Sequence, residues 1–316
     1  RRTEQSMKQY ITRRLVLAVP TLFGVSIIIF VIMAIMPGDV ALARLGEAAN
    51  PETLQIVREQ LGLNDPWYQR YGRWVKDMAT LGDLGESVFR QGVPISSLIA
   101  EHFPVTLNLS LYTIFVAVLL GVPLGTISAV RHNTLTDHVL RIFSIIGLAV
   151  PVFWLGIMII LVQVTWFNWS PQVQWVSPFD NFWENLKQMF WPAITLGYFQ
   201  VAFIARMTRS SLLDVLHEDY MRTARAKGLH ELTVTVRHGL RNAIIPIITV
   251  GGLQFVALLG GVVVTERVFN LAGWGTLLVS GVFNRDFALV QTLVFIFAAI
   301  VVVANLITDM LYAWLD

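Results

Sequence analysis

Long apolar runs alternate with short charged segments along the 316 residues of this chain. The first run, 15–36, has no charged residue in 22 positions, and about 20 apolar residues suffice for a helix to cross a bilayer. Five later runs are also long enough to cross. In chain order they are 106–130, 142–167, 192–213, 243–264 and 287–308. The pattern predicts an all-α integral membrane protein with six transmembrane helices.

The fourth and the first of these runs each have a distinctive feature. Arg206 and Arg209 interrupt the fourth run near one end, where we expect their long side chains to reach the lipid headgroups. The first run is longer than the apolar region of a leader peptide, which spans roughly 7–15 residues. It ends in Pro37-Gly38-Asp39 without a small-residue cleavage site, so we expect it to persist as a helix.

Basic residues are unequally distributed between the two sides of the predicted bundle. The side with the N-terminus carries 14 Lys and Arg, of which seven lie in 206–241. The short loops of the opposite side carry three, Lys187, Arg267 and Arg285. Because loops rich in Lys and Arg stay on the cytoplasmic side, both termini are predicted to be cytoplasmic.

This topology divides the chain into four parts. They are a cytoplasmic N-terminus (1–14), a first transmembrane helix (15–36), an extracytoplasmic loop domain (37–103) and a transmembrane core (104–313). In the loop domain, Asn50-Pro51 is typical of a helix start, Gly62 of its end, and Asp65-Pro66 of a second helix start. The domain is either a cap packed on the outer membrane surface, or a cap that also meets an extracytoplasmic partner or substrate.

Composition excludes several classes of function. Charged residues make up 14% of the chain against about 25% in soluble domains, which indicates that membrane lipid surrounds it. There is no cysteine for a disulfide or a thiolate site, and a net charge of +2 gives no reason to expect a nucleic-acid partner. None of the four lysines follows a glycine, so the chain has no P-loop for a nucleotide. No HExxH, SxxK or GxSxG motif indicates a metal site or an enzyme.

Neutral polar residues occur inside the predicted spans. Asn108, Gln200 and Gln254 are candidates to line a polar pathway, because amides can hydrogen-bond a peptide backbone without selecting charge. The alternative is that they form hydrogen bonds between helices and hold the bundle together. Gly121 and Gly125 follow a small-xxx-small pattern, which favours close packing of two helices.

One strongly charged segment, 214–242, lies between the fourth and fifth runs, and we refer to it as the charged segment. Residues 214–226 predict an amphipathic helix, and Gly228 predicts its end. A second helix is expected to follow, with Leu229, Leu232, Val236 and Leu240 as its apolar stripe. The charged segment is either a hairpin exposed to water or lipid headgroups, or a protrusion that docks in a cleft of a partner protein.

The charged segment resembles the cytoplasmic loop of ATP-binding-cassette (ABC) importer permeases of the dipeptide, oligopeptide and nickel family. The similar stretches are DYMRTARAKGL and RHGLRNAIIPII, and the loop of that family follows a Glu-Ala-Ala-xxx-Gly pattern. Arg222, Thr223 and Ala224 occupy the first three places and Gly228 the last. Arg222 in place of glutamate, and the 17 residues between Gly228 and Pro246, depart from the general pattern as the peptide and nickel subfamily does.

The resemblance covers essentially the whole chain. VPTLFGVSIIIFVIMAIMPGD is similar to the first span of the family's first permease subunit. EQLGLNDPWYQRY and GDLGESVFRQGVP resemble its outer loop, and VTERVFNLAGWGTL resembles its segment between the fifth and sixth spans.

The resemblance implies a type I ABC importer permease fold in a bacterial plasma membrane, the inner one if there are two. Its implied partners are a second, similar permease, one or two ATPase subunits and an extracytoplasmic binding protein. ATP and Mg²⁺ would sit on the ATPases, and this chain would bind no cofactor. The charged segment would couple to an ATPase, through Glu218, Asp219, Arg222, Thr223, Ala224, Arg225, Lys227 and Gly228.

Short peptides are the expected cargo. The sequence leaves open dipeptides, longer peptides, glutathione, murein peptides and nickel chelates. Two rivals come from other classes: an ATP-independent secondary transporter or channel, and a membrane-anchored structural or sensor subunit.

Overall fold

The computed structural model describes residues 2–36, 40–45, 50–60, 62–80, 84–90, 92–172 and 174–315. Pro37-Gly38-Asp39, at the predicted end of the first span, lies outside these residues, as do Gly82, Asp83 and Gln91 of the outer loop. The described part is helical, and its one β contact is an isolated bridge between Glu86 and Pro94. The all-α prediction is confirmed.

Most of the helices are joined by short connections, and longer ones precede α5 and α8. They are α1 (Arg2–Ile35), α2 (Val40–Leu45), α3 (Pro51–Gln60), α4 (Trp67–Thr80), α5 (Ile95–Val130), α6 (Leu135–Ala149), α7 (Val152–Phe167), α8 (Phe182–Leu216), α9 (Asp219–Ala226), α10 (Glu231–Thr233), α11 (Arg241–Gly261), α12 (Val263–Val268), α13 (Trp274–Phe283) and α14 (Phe287–Leu315). A π-helix, Val234–Leu240, joins α10 to α11. The chain forms two compact units, one of residues 1–104 with 272–316 and one of residues 105–271.

In the first unit, α1 packs along α14, and the outer-loop helices belong to the same unit. Helix α3 begins at Pro51 as predicted, and Gly62 follows it with a φ of +62°. Helix α4 contacts α1 through the hydroxyl oxygens of Tyr71 and Ser26, which lie 2.7 Å apart. The two predicted loop helices are therefore present, and the second packs on the first apolar run.

The second unit is organised around α8, which is buried along most of its length. Helix α5 approaches it closely at the two glycines identified from the sequence. A Cβ atom on Gly121 would lie 2.9 Å from the Ile204 side chain, and one on Gly125 would collide with the Ala205 carbonyl oxygen. The predicted close packing at Gly121 and Gly125 is confirmed, and α8 is the helix that they contact.

Four helical stretches are long and apolar enough to cross a membrane, among the residues that the structure describes. They are Val16–Ile35, Ile95–Val130, Glu231–Leu259 and Phe287–Ile307. A fifth exists if α6 and α7 are counted as one span, although they meet at an angle of 100°. The predicted run 142–167 is broken near its middle, because Pro151 holds the preceding Val150 in an extended conformation. The count of six stays a prediction.

Helix α8, which contains the fourth predicted span, is not among those stretches. Several of its polar residues are covered by other parts of the protein. Arg209 is an example of a polar side chain that is mostly covered. Its guanidinium donates to both carboxylate oxygens of the fully buried Asp137, at 2.8 and 2.9 Å. The expectation that Arg209 reaches toward lipid headgroups is therefore wrong, since an acid on α6 binds it inside the unit.

Candidate functional site

The charged segment begins where α8 ends. A single helix over 214–226 was expected, but α8 stops at Leu216 and α9 starts at Asp219. Glu218 lies between them in an extended conformation, with φ −67° and ψ 148°. The break has a packing reason: it turns α9 so that Met221 and Ala224 lie against Val215 and Leu216 at the end of α8.

Met221 anchors the charged segment to the rest of the second unit. Its side chain is fully buried and packs with Val234 of the π-helix. Gly239, one turn further, makes room for it: an added Cβ would lie 3.3 Å from Met221 Cε and 3.1 Å from Leu212 Cδ1. This methionine therefore connects α9 to two other elements, α8 and the π-helix.

The charged residues of α9 lie on its outer side. Glu218, Asp219, Arg222, Thr223, Arg225, Lys227 and Gly228 are all exposed, whereas Ala224 is buried beneath them. Arg222 lies 3.5 Å from Asp219, but these side chains are 74% and 96% exposed, so the pair adds little stability. The structure thus places seven of the eight predicted coupling residues on one accessible side of the chain and Ala224 in the packed layer.

Gly228 makes the turn that the sequence predicted. Its φ is +77°, a left-handed conformation that favours glycine, and α9 has ended at Ala226. The turn brings Glu231 back to Arg225, with Nη2 and Oε1 3.1 Å apart. Glu231 is not predicted from charge pairs within one helix, because the pair spans the turn. The available signal was the opposite charges on the two flanks of the glycine.

Three of the four residues in the predicted apolar stripe of the second helix are exposed, and the fourth, Leu240, is half-buried. Leu229 is 40% exposed, Leu232 66% and Val236 48%. The residues that this part of the chain buries are Val234, Thr235 and Gly239. A π-helix occupies Val234–Leu240, so the α-helical spacing used for the prediction does not hold there. The outcome is a surface of exposed aliphatic and charged side chains, which we call the exposed face (Glu218, Asp219, Arg222, Thr223, Arg225, Lys227, Gly228, Leu229, Leu232 and Val236).

Further contacts connect the charged segment to α11. The Asn242 amide donates to the Tyr220 hydroxyl at 2.8 Å and to the His238 carbonyl at 3.2 Å. Ala243 at the start of α11 packs with Leu212 of α8 and Ala129 of α5. Displacement of α9 would therefore act on α8 and α11 together.

Two of the three pathway candidates, Asn108 and Gln200, are not brought together. Asn108 accepts a hydrogen bond of 2.9 Å from Asn185 of α8, which favours the helix-connecting interpretation for this residue. Gln200 is on the same helix as Asn185, 15 residues later and so about 20 Å along its axis. Its buried Oε1 has no hydrogen-bond partner among the residues that the structure describes. Gln254 lies half-buried in α11.

No cluster of three or more His, Asp or Glu suited to a metal ion occurs in the described ranges. The chemistry of the site therefore comes from exposed charges and aliphatic side chains over a packed anchor. Such a surface is suited to binding another protein.

Two family models match nearly the whole chain. Residues 121–316 match the binding-protein-dependent transport system inner membrane component, and residues 7–110 match the N-terminal part of such a membrane component.

Several named relatives also match the chain over nearly its full length. The oligopeptide transport system permease protein AppB of Bacillus subtilis is 40% identical over 98% of both chains. The dipeptide transport system permease protein DppB of Alkalihalophilus pseudofirmus is 37% identical over 98% of both chains. The glutathione transport system permease protein GsiC of Escherichia coli is 40% identical over 97% of both.

Among solved structures, a chain of the inward-facing MetNI methionine ABC transporter has the same fold. Its TM-score is 0.57 at 16% identity, over 70% of this chain and 97% of that one. Together with the family models and the helical membrane fold, these relatives place the chain in its family. It belongs to the inner-membrane components of binding-protein-dependent transport systems, and it is an ABC importer permease.

Proposed function

We propose that this chain forms half of the translocation pathway of an ATP-driven importer of short peptides. The cargo is supported by relatives that are named as permeases for oligopeptides, dipeptides and glutathione, at 37–40% identity over nearly the full length. The proposed setting is a bacterial plasma membrane with both termini in the cytoplasm, on the strength of the 14 basic residues on that side.

The proposed assembly adds a second permease subunit, one or two ATPase subunits and an extracytoplasmic binding protein. The family is defined by its dependence on a binding protein. ATP and Mg²⁺ belong to the ATPases in this proposal, because the chain has no P-loop of its own.

The exposed face is proposed to dock on an ATPase subunit. The observation that carries this assignment is the contrast between Leu232, which is 66% exposed, and Met221, which is fully buried. An isolated hairpin gains nothing from a solvated leucine, whereas a partner's cleft would bury it. The surrounding charges of Arg222, Arg225 and Lys227 would orient the docking.

Motion is proposed to pass through the anchor. When the ATPases close on ATP, the docked α9 shifts, and Met221 pushes on Val215 and Leu216 of α8 and on the π-helix before α11. Both helices belong to the bundle of the second unit, so access to the pathway would change from one side to the other. Asn108, Gln200 and Gln254 remain proposed lining residues, with Gln200 the best supported because its oxygen lacks a partner among the described residues.

The docking assignment is tested with Leu232→Asp and Arg222→Glu. Each variant should reduce co-purification of the ATPase and uptake of a labelled peptide, because a charge is introduced or reversed in the interface. Leu135→Asp is the matched control, since Leu135 is 80% exposed and lies outside the charged segment. Normal ATPase retention and uptake in both test variants would contradict the assignment.

Glutathione is a second candidate cargo with its own support. The glutathione permease GsiC of Escherichia coli is as similar to this chain as the oligopeptide permease AppB, at 40% identity. The two cargoes can be distinguished by competition. Uptake of a labelled peptide is measured in the presence of glutathione and, for comparison, of a tripeptide that lacks the thiol. Uptake by the purified chain in proteoliposomes without an ATPase would instead support an ATP-independent transporter.

A further inference from the structure

A cavity of about 380 Å³ lies between α5, α6 and α8, at the end of the bundle where the 131–134 connection joins α5 to α6. Its polar lining includes Arg141 from α6 with Arg206 and Arg209 from α8. Three arginines around one cavity are unusual in a chain with so few charges, and this cavity takes no part in the docking described above.

Only one of these arginines has its charge compensated by a carboxylate of the described chain. Arg209 binds Asp137 through both carboxylate oxygens, and Ser128 also donates to this buried acid at 2.6 Å. Arg141 and Arg206 are exposed and make no ion pair or hydrogen bond with the residues that the structure describes. The cavity therefore offers two positive charges that an anion from outside the chain can compensate.

Apart from Ser128 and Ser144, whose hydroxyls donate to Asp137 and to the Leu140 carbonyl oxygen, the remaining walls are apolar. Leu124, Leu140 and Leu148 line the cavity, and none of them offers a polar group to a ligand. Ile145, which lines the cavity, and Ile142 on the same helix are 63% and 57% exposed and are suited to lipid tails. A small inorganic anion would leave this apolar wall uncovered, whereas a phospholipid would place its phosphate at the arginines and an acyl chain along the leucines.

We propose that this cavity, the arginine cavity, binds an anionic phospholipid of the cytoplasmic leaflet. The headgroup phosphate lies between Arg141 and Arg206, and the acyl chain follows the apolar wall between α5 and α6. Basic cavities between transmembrane helices on the cytoplasmic side bind such lipids in membrane proteins generally. The choice of leaflet rests on the proposed orientation; the choice of ligand class rests on the cavity alone.

The test uses the assembled transporter in nanodiscs of phosphatidylcholine that contain a minor share of phosphatidylglycerol. After transfer to detergent, native mass spectrometry counts the lipids that stay bound. We expect phosphatidylglycerol to be retained in preference to phosphatidylcholine. Arg141→Gln and Arg206→Gln should each lower its retention about fivefold, as expected for one basic side chain near an anionic lipid.

Arg131→Gln is the matched control, because it removes one exposed positive charge from the same end of the bundle but outside the cavity lining. It should leave phosphatidylglycerol retention unchanged. Equal retention of the two lipids, or an equal loss in the control, would overturn the proposal. So would displacement of the bound lipid by glycerol 3-phosphate, which would mark a site for free anions. A cross-link from Ile145→Cys to the second permease would also overturn it, because a protein would then cover the cavity mouth.

Discussion

Two arginine–carboxylate pairs in the second unit have similar geometry and different surroundings. Arg209 Nε lies 2.8 Å from Asp137 Oδ1, and this carboxylate is fully buried. Arg225 Nη2 lies 3.1 Å from Glu231 Oε1, and these side chains are 39% and 53% exposed. The first pair joins α6 to α8 inside the bundle. The second closes the turn of a segment that we assign to another protein. The difference indicates that an ion pair from which water is excluded stabilises the helix bundle. An ion pair that is exposed to water stays accessible to a partner protein.

The largest effect is expected from Asp137→Asn. Arg209 would then keep its charge in a site of low polarity with no carboxylate, a change that costs about 3 kcal/mol or more. The thermal unfolding midpoint of the purified permease should fall by roughly 5–10 °C. Asp219→Asn, at a carboxylate that is 96% exposed, is the control and should leave the midpoint unchanged. Equal shifts in the two variants would remove the distinction between the pairs.

A somewhat smaller effect is expected from Met221→Ala. The side chain is fully buried, so its loss leaves a cavity and destabilises the charged segment by about 2–4 kcal/mol. Hydrogen exchange should accelerate in 219–240 while the rest of the bundle keeps its protection, and peptide uptake should fall. Leu232→Ala is the control, because an exposed leucine contributes little to folding. Unchanged exchange in Met221→Ala would mean that the methionine is not the anchor.

Gly239→Ala is expected to cost about 1 kcal/mol, since the new methyl group meets flexible side-chain ends at 3.1 and 3.3 Å. The sharper expectation concerns the double variant with Met221→Ala. The added methyl fills part of the space that the methionine leaves, so the double variant should be less destabilised than the sum of the single ones. Strict additivity would show that Gly239 and Met221 do not share a contact.

The smallest effect on stability is expected from Arg225→Gln. The pair with Glu231 is solvent-exposed and worth less than about 1 kcal/mol, so the unfolding midpoint should not move measurably. ATPase co-purification should nevertheless decrease at low salt, and the difference from the unmodified chain should shrink at high salt, where exposed charges are screened. A clear loss of stability with full ATPase binding would reverse the roles that we give to the two pairs.

The sequence predicted features that depend on local rules. Apolar runs identified most of the membrane helices, Pro51 and Gly62 bounded an outer-loop helix, and Gly228 marked the turn of the charged segment. Each of these follows from side-chain hydropathy or from the backbone preferences of one residue. Such features can be predicted from one helical turn or one apolar run, without knowledge of the surface against which the segment packs.

Features that depend on contacts distant in sequence were missed. Arg209 and Asp137 are 72 residues apart, and nothing near either residue indicates the other. The buried Glu266 likewise accepts a hydrogen bond of 2.6 Å from Thr106, 160 residues away, although the sequence places it only at the end of a span. The break at Glu218 and the π-helix at Val234–Leu240 have the same origin, because the packing around Met221 overrides α-helical periodicity.

Docking of the exposed face on an ATPase subunit can be tested by cross-linking. The chain has no cysteine, so Leu232→Cys introduces a single thiol whose cross-links in this subunit come from one position. In the assembled transporter, a short thiol-specific cross-linker should join position 232 to the ATPase, and Leu135→Cys should not. A cross-link from position 135 alone, or none from position 232 in a transporter that imports peptide normally, would contradict docking through the exposed face.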